Sequence, residues 1–146
     1  MKKILAFAGI RALSITPTAS FSDHLEPKES EIRPGGNLAH TNLRGADLRD
    51  ANMSRADLSN ANLSNANLSR ADMNRADLNH ADLTGANLNN ANLRGADLSE
   101  ANLNNAFLRG ITATNIRGCP SSLPSGWICK NNSLICLLYT SPSPRD

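Results

Sequence analysis

The chain has 146 residues, of which 40% are hydrophobic but only 3% aromatic, and 15 Lys and Arg stand against 13 Asp and Glu for a formal net charge of +2. That balance excludes the strongly basic footprint of a direct nucleic-acid binder, and the shortage of rings removes the stacking platforms that grip single strands. No run reaches the ~20 apolar residues with which a helix crosses a bilayer.

Residues 1–20 open with Lys2 and Lys3, continue through apolar Ile4 to Ile10, meet Arg11 and reach Thr18-Ala19-Ser20. This order reads as a secretory signal, so the expectation is export to a periplasmic or extracellular space; an uncleaved start would leave the chain in the cytoplasm. Residues 21–35 are polar and charged and read as a leader or as an N-terminal cover over the first coil of the repeat.

From Thr41 to Gly110 one five-residue unit, Ala-(Asn/Asp)-Leu-x-x, repeats without insertion or deletion. A helix would spray a residue of this period around its whole circumference, and one long strand would send successive leucines to opposite faces. Within a unit, however, Ala46 and Leu48 are two apart and share a face, while Leu48 and Ala51 share it only if the backbone bends between them. Each unit is therefore a short extended side followed by a corner, and the chain winds into a coil with Ala and Leu inside. The expected core includes Leu58, Leu63, Leu68, Met73, Leu78, Leu83, Leu88 and Leu93, with Met53 and Met73 as volume-conserving replacements.

Thirteen consecutive units begin with Ala, from Ala46 to Ala106, and Leu or Met holds every centre from Leu43 to Leu108. In these residues the chain resembles the pentapeptide-repeat family. The resemblance implies an all-β, right-handed quadrilateral β-helix with four units per coil, hence about four coils over 36–117, stacked at ~4.8 Å.

Residues 118–135 break the rule and resemble the non-repeat inserts of that family or a C-terminal cover, with Trp127 as a lid on the last coil. Cys119 and Cys129 bracket a turn-rich loop. In an oxidising compartment they form a candidate disulfide; in a reducing one they stay free, and two cysteines without a neighbouring His supply too few ligands for a metal. The last eleven residues, from Cys136 to Asp146, look like the in-frame translation of a transposase adapter used in sequencing libraries. The expectation is that 136–146 is a non-native tail, against the alternative of a disordered Ser/Pro tail.

With four units per coil, residues twenty apart stack into outward columns. Asp57, Asp77 and Asp97 fall in line, with Glu100 near their end and His40 and His80 in the neighbouring column, as a candidate acidic face. Arg49, Arg70 and Arg109 gather on one candidate basic face and Arg55, Arg75 and Arg94 on another, offset in part by Asp47, Asp50 and Asp72. A straight carboxylate column gives neither a converging cation site nor a water-excluding pocket. No nucleophile motif or nucleotide-binding glycine pattern appears, so neither catalytic, cofactor nor metal residues are expected. Phe107 alone puts a large apolar group in an outward Asn/Asp place, where a cover from 118–135 is expected to fold over it.

Two functions fit. One is an exported, non-enzymatic interaction module, a rigid solenoid presenting flat polar faces to a protein or surface partner. The other is implied by the resemblance: a cytoplasmic regulatory protein acting on a nucleic-acid enzyme such as a topoisomerase through an acidic face. Known mimics of duplex DNA are strongly negative and favour Phe at the centre, whereas this chain has Leu there and, over 21–135, eleven Lys and Arg against twelve Asp and Glu.

Overall fold

A pentapeptide buries both its Ala and its Leu only if the chain turns at every unit, and in the computed structural model it does so throughout the repeat. Residues 31–137 are described; the expected signal segment 1–20, residues 21–30 of the expected leader and residues 138–146 of the expected tail lie outside them. Single-residue parallel bridges link positions twenty apart, starting with Asn37 to Asp57 and ending with Asn102 to Ser122. The protein is thus all-β, a right-handed quadrilateral β-helix with four walls. Wall A starts with 36–40, wall B with 41–45, wall C with 46–50 and wall D with 51–55, and each recurs every twenty residues.

One rung shows how a unit is held. Asp77 donates its N–H to the Ala56 carbonyl (2.9 Å), while its own carbonyl accepts from the Leu58 N–H (2.7 Å). The corner closes inside the unit, where Ala61 donates to the Leu58 carbonyl at 3.1 Å. Turning that tightly puts every fifth residue from His40 to Asn115 at positive φ, whether it is Gly, Asn, Asp, His, Glu or Arg. The left-handed conformation is unfavourable for side chains with a Cβ, by roughly 1–2 kcal/mol. Hydrogen bonds to the coil below offset it, as where the Asn60 N–H meets the Asn79 carbonyl at 2.9 Å.

Inside, Leu58, Leu63, Leu68, Met73, Leu78, Leu83, Leu88 and Leu93 are all fully buried, as is Met53. Alanine beside leucine on every wall keeps the cross-section constant, so one dry column runs the length of the tube. At the top, Ile32 joins this core and the Glu31 carboxylate accepts the Asn37 N–H at 3.1 Å.

The ladder runs past Arg117, where the sequence pattern dissolves, to Ser122 on wall B. There the chain leaves the tube and forms the one regular hairpin among the described residues, β1 (Trp127–Lys130) paired antiparallel with β2 (Ser133–Cys136). Its turn residues Asn131 and Asn132 both have positive φ, as a two-residue hairpin with right-handed strand twist requires. Ser133 bridges Thr114 at the foot of wall D, and Leu134 donates to the Ala113 carbonyl at 3.1 Å. A disulfide joins Cys119 to Cys129, and Leu123 and Trp127 pack against the end of the core. The hairpin crosses the boundary at which the sequence reading begins a foreign tail: Cys136 pairs with Trp127, and Leu137 donates to the Gly126 carbonyl at 2.7 Å.

Candidate functional site

The surfaces available for function are the outer columns, and the Asn/Asp position limits what each can do. Its Oδ1 accepts the N–H two residues on: Asp57 from Ser59, Asp77 from Asn79 and Asp97 from Ser99, each at 3.0 Å. Where Ser occupies that second place, its hydroxyl adds another bond, 2.6 Å to Asp57 and 2.6 Å to Asp97. Asn62 makes the same pair of bonds with Ser64. The position therefore staples the corner, and amide and carboxylate serve equally because only an acceptor oxygen is needed.

This changes the meaning of the acidic column. Asp57, Asp77 and Asp97 do stack on wall A, but all three are half-buried and engaged with their own corners, and the next residue in line is a cation, Arg117. Its Nε lies 3.9 Å from Asp97 Oδ2. Burial pushes the Asp97 carboxyl up, but the hydroxyl and N–H of Ser99, helped by Arg117, outweigh it and hold the group below the usual carboxylate range. Glu100 is not in that column; it sits at positive φ on the corner, below His40, Asn60 and His80. His40 and His80 are two coils apart, ~10 Å at the usual rung spacing.

The two basic groups differ. Arg49 forks onto Asp47 at 2.6 and 2.7 Å, and Arg70 reaches one coil to Asp50 at 2.6 and 2.7 Å. These hydrogen bonds raise the affinity of both guanidiniums for their protons. Arg109 shares a column with Arg49 but lies three coils away, ~14 Å by rung spacing. Arg55 and Arg75 stack on the corner between walls D and A, with Arg94 in the adjacent column one coil on; these three are exposed and form no ion pair among the described residues. The free cations therefore flank the acidic wall across a shared corner rather than facing it across the width of the tube.

Phe107 is 60% exposed on wall C. The expected cover does not reach it, because the bridge from Ser133 to Thr114 docks the hairpin one wall further on. Sequence reasoning also missed the stapling role of Asn/Asp, although a Ser or Thr two residues later in six of the units is a side-chain turn signal.

A family model described as pentapeptide repeats matches 37–75 and 76–112 in eight copies, just over half the chain. No curated protein matches. Among solved structures, the chain is similar to alr5209, a pentapeptide repeat protein from Nostoc PCC 7120, with 37% identity, 61% of this chain and 74% of that one covered, and a TM-score of 0.58. HetL, involved in heterocyst differentiation regulation in Nostoc sp. strain PCC 7120, matches at 32% identity over 57% of this chain and 49% of its own, with a TM-score of 0.45. A pentapeptide repeat protein of the Arabidopsis thaliana thylakoid lumen matches at 29% identity over 57% of this chain and 61% of its own, with a TM-score of 0.40.

Proposed function

Since this chain belongs to the pentapeptide-repeat family, we propose that it is an exported, non-enzymatic interaction module that presents the walls of a rigid solenoid to a protein or surface partner. One observation carries this reading. The polar groups nearest the backbone are engaged in stapling corners, so the side chains left free for an encounter are the exposed columns, above all Arg55, Arg75 and Arg94. Held at a fixed rung spacing on a scaffold bonded above and below, such columns meet a partner with little ordering entropy still to lose. The same arrangement argues against catalysis, because carboxylates tied to their own corners do not converge on a substrate.

The rival reading, a cytoplasmic protein that engages a topoisomerase through the acidic face, draws less support. Its three aspartates are half-buried, bonded to their own turns and succeeded in the column by Arg117. The test compares two triple variants of the tagged protein, Arg55/Arg75/Arg94→Ser and Asp57/Asp77/Asp97→Asn, by cross-linking in the source cells and by mass analysis of the mature N-terminus. The proposal expects cleavage near Ser20 and a cross-linked partner lost with the arginines. An intact Met1, together with inhibition of DNA supercoiling that only the aspartate variant loses, would establish the rival instead.

A further inference from the structure

Among the described residues, the lower end of the tube is closed on three walls and not on the fourth. On wall A, Arg117 completes the rung, donating to the Ala96 carbonyl (2.8 Å) and accepting from the Leu98 N–H (2.8 Å). On wall B, Ser121 donates to the Ala101 carbonyl and the Ser122 carbonyl accepts from Leu103. On wall D the hairpin takes over, where Leu134 donates to Ala113 and the Asn132 carbonyl accepts from Ile116 at the next corner. On wall C the Ala106 carbonyl and the Leu108 N–H, which every higher rung would use, have no partner among the described residues. Leu108 is only 3% exposed as a residue, and a backbone N–H without an acceptor among the described residues at so buried a position is a group in search of one. Directly outside it stands Phe107, while Asn67 and Asn87 above it in the same column are half-buried.

We propose that the side 106–110 is a docking edge, at which an extended segment of a partner protein adds as one further rung. The rungs above specify its chemistry. One residue of the segment must donate its N–H to Ala106 and accept from Leu108, and its outward side chain then stacks beneath Phe107, where an apolar or aromatic group shields the ring from water. The residues on either side of it point into the core, a small one first and a Leu or Met second, as in each unit of the tube. The segment is therefore small–apolar–large in an extended conformation, a strand-addition mode whose affinity comes from backbone bonds and whose selectivity comes from the three side chains. A second copy of this chain is a poor occupant: the hairpin projects below wall D, and Ile32 and Glu31 cover part of the upper end, so two tubes do not meet flat end to end. This edge is separate from the wall columns and does not depend on their having a partner.

The test uses the full chain and a probe peptide, acetylated and amidated, with the sequence of residues 105–111. Titration to millimolar peptide is monitored by amide chemical shifts. Shifts confined to Leu108, Gly110 and their neighbours are expected. Phe107→Asn, which restores the residue type of the column above, should weaken binding about two- to five-fold, and N-methylation of the peptide's Phe should abolish it. Three outcomes would overturn the proposal: no shift at millimolar peptide, shifts that survive N-methylation, or a Leu108 amide that exchanges as slowly as that of Leu88 in the free chain, meaning that the chain itself occupies the edge. Sedimentation is the control for self-association; a dimer that Phe107→Asn dissolves and the peptide fails to compete would give the edge to a second copy.

Discussion

The middle of the tube and its lower end solve the same problem by different means. Around Leu78 the ladder bonds run to the coils above and below, the corner bonds close within the unit, and the residue is 0% exposed, so periodic sequence alone specifies the structure. Beyond Arg117 the sequence pattern is gone, and closure depends on single devices: a last pair of bonds at Ser121 and Ser122, a hairpin, a disulfide and the packing of Leu123 and Trp127. Redundancy protects the first region, and each loss in the second has no substitute nearby. In a solenoid this contrast is also energetic, because each coil answers mainly to its neighbours.

The sharpest way to break the comparison is to place a charge in each region. Leu78→Asp should destabilise by on the order of 3–5 kcal/mol and melt several rungs, since a carboxylate in that column has no partner. Leu134→Asp, in a hairpin residue that is 8% exposed, should release the hairpin and leave the coils around Leu78 protected from hydrogen exchange. Equal loss of protection in the two variants would mean that tube and end fold as one unit.

Opening the disulfide is the next largest perturbation. A bridge over so short a loop stabilises by about 2–3 kcal/mol, and that stabilisation belongs to the end alone. Reduction, or Cys119→Ser, should raise exchange across Trp127–Lys130 and leave the ladder from Asn37 to Asp97 unchanged. Truncation after Leu137 should be silent, while truncation after Ile135 removes the partner of Trp127 and should loosen the same strand.

Acid gives a smaller effect. Because the Asp97 carboxyl is held below its usual range in the folded state, its contribution is fully present above the unfolded pKa of about 4 and is lost as pH falls through the depressed folded value. Asp97→Asn keeps an acceptor for Ser99 but cannot titrate. Melts between neutral and strongly acidic pH should therefore fall less for the variant than for the parent. The smallest expected change is Arg70→Ala: its bond to Asp50 is solvent-exposed, and the melting temperature should not move measurably.

How much of this was legible beforehand depends on whether a residue repeats. The period, the buried Ala and Leu and the membership of columns came from spacing, because a twenty-residue stack leaves each side chain only one wall to occupy. What the Asn/Asp position does was hidden, since an outward polar residue looks the same whether it faces solvent or staples a turn. Asn79, two places after Asp77, misleads in a similar way: register alone marks Asn79→Asp as harmless, yet its Oδ1 is buried without a partner among the described residues. Asn104, which is exposed, is the better control. The end was least legible. The pair Asn131 and Asn132 between two short apolar runs signals a hairpin, but no spacing rule says on which wall it docks, and so Phe107 appeared covered when it is open.

The twenty-residue stack also makes the tube a counting device. Each unit advances the chain by one wall, so adding or deleting a single pentapeptide would preserve the core and every rung type yet turn the whole downstream chain by a quarter of a revolution. The hairpin, the disulfide and the lower edge of 106–110 would then face a different direction relative to the arginine columns upstream. Only changes of a whole coil leave that angle alone. Variation in length thus rewires the bearing between the two surfaces while leaving each locally intact, and repeat number sets orientation as well as height.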